Sequence, residues 1–232
     1  MAQQIAISAL DGSGTFNAYL AQPAGTARGA VIVIQEIFGI NAGIRKMCDD
    51  WAAAGYVALA PDLFWRQQPG FEADADDPRG FEKAFALMNG LDGDKAVADI
   101  EGTIRKGREL SGGGKTGVVG YCMGGRLAFL CATRTDADAS VSYYGGGTDQ
   151  CLGESHAIGQ PLLMHLTTAD EYIGPQAQAK IREALRDNRH VTICWYDDVG
   201  HGFARAYGGA RNEEAARLAD GRTRDFFATH LG

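Results

Sequence analysis

The run Gly120-Tyr121-Cys122-Met123-Gly124-Gly125 constrains the fold of this chain more than any other stretch. It follows the apolar residues Thr116–Val119 and precedes Arg126-Leu-Ala-Phe-Leu-Cys-Ala-Thr133, which has helical character. Glycines flanking a central residue at a strand-to-helix junction mark a sharp turn, where strand and helix come too close for a Cβ. The spacing G-x-C-x-G is that of a nucleophile elbow with cysteine in place of serine. Such a turn lifts the central side chain above the sheet and gathers backbone N–H groups at the helix start, where negative charge is stabilised. Taken alone, the motif also suits a structural cysteine in a tight turn, so the rest of the chain decides between the two.

Apolar runs alternate with helix-like segments on both sides of this junction. Phe16–Ala21 alternates as an early strand, and Ala30–Gln35 is a β-branched run of the kind buried on both faces of a sheet. Asn41 caps a helix reaching about Ala54, which Gly55 ends. Tyr56–Ala60 is a strand closed by Pro61-Asp62, and the polar stretch Gln67–Pro78 is a loop. Helical spacing returns over Gly80–Met88 and Asp94–Leu110. Strands are expected at Val118–Tyr121, Ala139–Tyr144, Pro161–Leu166 and Val191–Tyr196, with helices near Pro175–Asp187 and Glu213–Ala228. The alternation predicts an α/β fold, a mostly parallel sheet with helices on both faces, as a single domain over residues 1–232. Ligands of such folds bind beyond the carboxyl ends of the strands.

Several function classes fall away. With 22 basic and 29 acidic residues the formal net charge is -7, which argues against nucleic acid as a partner. No apolar run has the length of a membrane span, and Met-Ala-Gln-Gln-Ile lacks the basic and apolar regions of a signal peptide. The five cysteines, Cys48, Cys122, Cys131, Cys151 and Cys194, include no C-x-x-C pair, so free thiols in a reducing cytoplasm are expected. Gly112-Gly113-Gly114-Lys115-Thr116 has Glu109 where a phosphate loop needs glycine, and its strand follows rather than precedes it. Neither a dinucleotide fingerprint nor convincing metal-ligand spacing is present, so no cofactor and no metal are expected.

An activated cysteine needs a base within hydrogen-bond reach, and the base needs an orienting partner. On sheets of this type the order is nucleophile, acid, histidine, each after its own strand. Cys122, Asp170 and His201 meet that order, after the strands Val118–Tyr121, Pro161–Leu166 and Val191–Tyr196. Glu171 is an alternative acid on the same loop. His165 lies inside a strand and reads as a hydrogen-bonded core residue, while His156 and His190 read as surface residues. Asp197 and Asp198 cap or solvate the loop before His201, and Cys131 reads as core. Glu36 ends the buried strand beside Ile37-Phe38, where a carboxylate is expensive without a donor. It is either bonded to backbone or a partner of the Cys122 thiol, holding the resting nucleophile in check until substrate displaces it.

The pieces Gln35-Glu36-Ile37-Phe38-Gly39 with Asn41, Gly55-Tyr56-Val57, Pro61-Asp62-Leu63, Gly120 to Gly125, Tyr143-Tyr144-Gly145 and Gly200-His201-Gly202-Phe203-Ala204-Arg205 span nearly the whole chain in order. Together they resemble the dienelactone hydrolase (carboxymethylenebutenolidase) family, cysteine members of the α/β-hydrolase fold. The resemblance implies a triad of Cys122, His201 and Asp170 and an oxyanion hole from the backbone N–H groups of Ile37 and Met123. It assigns Arg205 to a clamp for the substrate carboxylate. A second clamp arginine falls near residues 79–82, where this chain has Phe81, with Arg79 two residues earlier. Phe38, Trp65, Tyr144 and Phe203 are candidate pocket walls or core. The implied reaction is the opening of a carboxylate-bearing unsaturated lactone, of the dienelactone to maleylacetate type, by a cytoplasmic monomer whose only partner is a small molecule. Phe81 keeps open an esterase or thioesterase acting on another activated ester. A non-catalytic carboxylate-binding protein is a further alternative.

Overall fold

The computed structural model describes residues 2–232. Eight strands form one sheet: β1 Ala2–Ser8, β2 Thr15–Ala21, β3 Ala30–Ile34, β4 Val57–Pro61, β5 Thr116–Tyr121, β6 Ala139–Tyr143, β7 Leu162–Thr167 and β8 Val191–Tyr196. Their order is β1-β2-β4-β3-β5-β6-β7-β8. β1 and β2 are antiparallel to their neighbours, and every pairing from β4 to β8 is parallel. Six helices complete the fold: α1 Ala42–Ala53, α2 Pro78–Asn89, α3 Gly93–Leu110, α4 Met123–Arg134, α5 Pro175–Leu185 and α6 Glu213–Leu231. None of them is long and apolar enough to cross a membrane.

The apolar pattern of β3 explains the layering. Ala30, Ile32 and Ile34 face one core together with residues of α2, α3, α4 and α5. Val31 and Val33 face the other, against α1 and α6. All five positions are fully buried. Each Val or Ile side chain so buried contributes roughly 1.5–3 kcal/mol, which makes the central strand a large share of the folding free energy.

The turn from β5 into α4 is built on missing side chains. A Cβ on Gly120 would lie 1.9 Å from the Gly124 carbonyl oxygen. One on Gly124 would lie 2.5 Å from the carbonyl oxygens of Ile34 and Gln35, and one on Gly125 would lie 2.3 Å from that of Tyr143. The close approach leaves Cys122 at φ 56 and ψ -117, outside the regions favoured by residues with a Cβ.

Most expected elements are present within a few residues of their bounds. Strand β1 was not expected; its Ala2-Gln3-Gln4 start is polar, and it holds the sheet edge by pairing Ile5 with Ala18 and Ile7 with Phe16. Helix α2 begins at Pro78 because Asp77 caps it by accepting from the Arg79 N–H. Two short 3-10 turns, Thr148–Gln150 and Leu152–Ala157, lie in the polar stretch after β6 and were also not expected.

The glycine contacts give a stability test. Gly124→Ala should destabilise the fold by at least about 2 kcal/mol in urea denaturation, through overpacking against backbone. Gly93→Ala, at a site with nothing within 4 Å, should be neutral or stabilising. Equal stability of the two variants would contradict this account of the turn.

Candidate active site

Cys122 sits half-buried at the junction of β5 and α4, above the carboxyl edge of the sheet. Asp170 and His201 lie on the loops that follow β7 and β8, and both are buried. The His201 Nδ1–H donates to the Asp170 carboxylate, at 3.1 Å from Oδ1 and 3.0 Å from Oδ2. Asp170 is itself held: its Oδ1 accepts from the backbone N–H groups of Tyr172 and Ile173, and its Oδ2 from the Thr167 hydroxyl. Glu171, on the same loop, is exposed. The rings of Tyr144 and Tyr172 stand edge-on to the imidazole, at 5.0 and 4.7 Å between centroids.

The other ring nitrogen of His201, Nε2, is buried and makes no hydrogen bond of ordinary geometry among the described residues. Its neighbour is the Cys122 sulfur, which acts on the titration of the ring. Burial pulls the His201 pKa down, but the hydrogen bond to Asp170 and the interaction with Cys122 outweigh it. The result is a rise from 6.5 to about 10. The buried Asp170 carboxylate thus favours the protonated form of a ring that lies beside the Cys122 sulfur.

Gln35 fixes the backbone at the end of β3, beside the β5–α4 turn. Its amide donates to the Glu36 carbonyl and accepts from the Leu63 N–H. The next residue but one, Ile37, and Met123 at the first position of α4 have backbone N–H groups with no acceptor among the described residues. Both residues line a cavity of about 270 Å³ that also contains Cys122 and His201. The opposite wall is apolar and comes from α2, as Phe81, Phe85 and Met88. Arg126, Arg205 and Tyr172 complete the rim.

Several expectations about this pocket need correction. Glu36 was expected to be bonded to backbone or to partner the thiol; its partner in the structure is Arg205. Both of its oxygens accept from Arg205 Nε, at 3.1 and 2.9 Å. A buried carboxylate gains far more from a guanidinium than from a neutral thiol, and this ion pair offsets its desolvation. Arg205 lines the pocket, but with that carboxylate already attached and its guanidinium over the Phe38 ring, 5.3 Å from the centroid. Arg79 is 90% exposed and pairs with Asp77, the cap of its own helix, so it does not reach the cavity. Phe81 takes the wall position, with its ring stacked on Phe85. Phe38 and Tyr144 are fully buried and support the walls from behind rather than line them. Trp65 lies elsewhere, donating to Asp99 and packing on Phe16. Phe203 is core.

The remaining histidines and cysteines do not join the site. His165 is buried between the Tyr196 and Thr223 hydroxyls, His156 is exposed and His190 half-buried. Asp197 and Asp198 are exposed on the loop before His201, and the Asp198 N–H donates to Thr168 Oγ1. Cys48 and Cys131 are buried, Cys151 and Cys194 half-buried, and all five cysteines are free. No group of His, Cys, Asp and Glu among the described residues could hold a metal ion.

Sequence reasoning missed Phe85, Met88, Tyr172 and Arg126. The first two were within reach of it, since they follow Phe81 by four and seven residues and so share its helix face. Tyr172 is two residues past Asp170, and Arg126 is one helical turn past Cys122, with its N–H donating to the Cys122 carbonyl.

Residues 16–231 match the model of the dienelactone hydrolase family. The chain is 44% identical over 220 residues to "Putative carboxymethylenebutenolidase" of Azospirillum brasilense, covering 94% of this chain and 95% of that protein. It is 36% identical over 229 residues to the carboxymethylenebutenolidase of Pseudomonas putida, covering 98% and 97%. Among solved structures, "Putative Dienelactone Hydrolase" from Klebsiella pneumoniae subsp. pneumoniae superposes with a TM-score of 0.85 at 27% identity, over 98% of this chain and 99% of that one. The sheet and helices are those of the α/β-hydrolase fold that these proteins share.

The His201 environment gives a test by titration and by stability. A raised pKa means that the charged imidazole stabilises the fold. That contribution is complete below the unfolded value of 6.5 and is lost as pH rises toward about 10. The stability lost in Asp170→Asn should therefore be largest in mildly acidic buffer and shrink in alkaline buffer. The NMR titration midpoint of His201 should lie well above the free-histidine value in the wild type and fall in Asp170→Asn. A wild-type midpoint near 6.5 would contradict the assignment.

Proposed function

The chain belongs to the dienelactone hydrolase family, and we propose that it hydrolyses a carboxylate-bearing unsaturated lactone through a Cys122 thioester. As a member of that family it is a hydrolase of ester and lactone bonds. The relatives named above are carboxymethylenebutenolidases, which supports the lactone. The observation that carries the mechanism is the His201 imidazole, fixed by Asp170 on one nitrogen and turned toward Cys122 with the other.

In the proposed reaction His201 holds the proton of the Cys122 thiol, and the sulfur attacks the lactone carbonyl carbon. The two backbone N–H groups of Ile37 and Met123 receive the oxyanion; donors of this kind are worth roughly 3–4 kcal/mol each in the transition state. Collapse breaks the ring C–O bond. The enol oxygen leaves as a stabilised enolate, so little acid assistance is needed at bond cleavage, and the enolate then takes up the proton that His201 holds. His201, now neutral, takes a proton from water, and the hydroxide attacks the thioester carbonyl. The Cys122 sulfur leaves, and the ring-opened acid departs. A thiolate is a good leaving group as well as a good nucleophile, so this site suits activated esters and lactones better than amides.

Glu36 and Arg205 have a binding role in this reading. Arg205 meets the substrate carboxylate by exchanging it for Glu36, with Phe38 holding the guanidinium plane. The α2 wall of Phe81, Phe85 and Met88 receives the unsaturated carbons of the substrate. One observation favours a second reading. The aromatic Phe81, with Arg79 out of reach, suits a less charged activated ester.

A panel containing a dienelactone, its methyl ester and a neutral aryl ester separates the two readings. The expected result is preferential turnover of the free carboxylate, with Cys122→Ala lowering kcat by about 10³-fold or more. Preferential turnover of the neutral compounds would favour the esterase. Full activity of Cys122→Ala would refute the nucleophile.

A further inference from the structure

Arg205 cannot be the pocket's free positive charge, because Glu36 already neutralises it. Apart from His201, which is paired with Asp170, the other basic residue lining the cavity is Arg126. It sits in the first turn of α4, one turn past Cys122, with buried residues before and after it. Its guanidinium has no carboxylate partner among the described residues. Arg134, the other arginine of the same helix, is bound to Asp94 and Glu154.

Two features argue that Arg126 is there for a ligand and not for the fold. A cation in the first turn of a helix opposes the helix dipole, a cost of about 0.3–1 kcal/mol that no ion pair offsets here. The loop after β6 is also shaped around the side chain. Gly147, at φ 82, would place a Cβ 3.2 Å from Arg126 Nη1 and 3.4 Å from its Cδ. A side chain at position 147 would crowd the arginine where it lies along this loop, and Gly146 and Gly147 themselves line the cavity.

We infer that Arg126 is a carboxylate-binding, specificity-determining residue of the active-site pocket, supplying from the α4 side the charge that neither Arg79 nor Phe81 brings from the α2 side. The inference rests on the pocket being the hydrolytic site and names its ligand class: a small ester or lactone with a carboxylate on its acyl portion. A guanidinium binds such a group through paired N–H donors in a planar fork, and Arg126 lines the cavity. Arg205 then serves as a gated second cation, released only when Glu36 is displaced.

The test uses the thiol itself, so it does not depend on finding the natural substrate. Cys122 is alkylated with iodoacetate and with iodoacetamide, two reagents of similar size that differ in charge. In both reactions the sulfur displaces iodide, and mass spectrometry of the Cys122 peptide follows the rate apart from the other four cysteines. The iodoacetate-to-iodoacetamide rate ratio should fall about 10-fold in Arg126→Gln and in Arg126→Met, and should be restored in Arg126→Lys. For carboxylate-bearing substrates the same variants should raise KM by about 10- to 100-fold, with a smaller change in kcat. A ratio equal to that of the wild type in both charge-removing variants would overturn the inference, even with lactone hydrolysis intact. A ratio that falls in the Arg126 variants of a protein whose wild type opens no lactone would instead support the anion site and count against the proposed reaction.

Discussion

The approach of α4 to β5 is the constraint on which the site depends. Gly120, Gly124 and Gly125 each meet backbone atoms where a Cβ would stand, and the contacts reach β3 and β6 as well as α4. The strained Cys122 backbone is therefore fixed by four elements at once, and the strain is held by the burial of the central strands. The same geometry leaves the Met123 N–H free at the helix start and sets it facing the cavity shared with Ile37. The proposed nucleophile, its proposed oxyanion donors and the direction of approach thus come from one packing problem solved by three small residues.

Electrostatics then divides the pocket. One buried pair, Asp170 with His201, keeps a proton on the imidazole beside the sulfur. The second, Glu36 with Arg205, neutralises a cation at the rim. Arg126 remains as the unneutralised charge, on the opposite side from the apolar α2 wall. An anionic, unsaturated acyl compound matches this distribution, with carbon against Phe81 and Phe85 and carboxylate toward the arginines.

How much of this was legible in the sequence depended on whether the cause was local. The elbow, the β-branched β3 run and the three loop residues Cys122, Asp170 and His201 were readable, because strand-end position and glycine spacing are properties of neighbouring residues. Strand β1 was not, since its place comes from pairing with β2 and not from its own polar start. Arg79 and Phe81 could not be ranked either, because the Asp77 cap sets the phase of α2 and sends residue 79 to solvent and residue 81 to the pocket. Glu36 clearly needed a partner. The thiol was the candidate visible nearby in the motif pattern, whereas the fold supplies Arg205, 169 residues away. Arg126 stands one turn from Cys122 in plain sight, but its direction depends on the Gly145–Gly147 loop beyond β6.

The proposed reaction stands or falls on a covalent bond at Cys122. Acid quenching of the protein during turnover of a dienelactone, followed by peptide mass spectrometry, reads that bond directly. A thioester at Cys122 whose added mass equals the whole lactone is expected, because ring opening releases no fragment. It should accumulate further when His201 is replaced by glutamine, since water activation is then lost. Sustained turnover with an unmodified Cys122 at every quench time, or acylation of another residue in step with turnover, would contradict it.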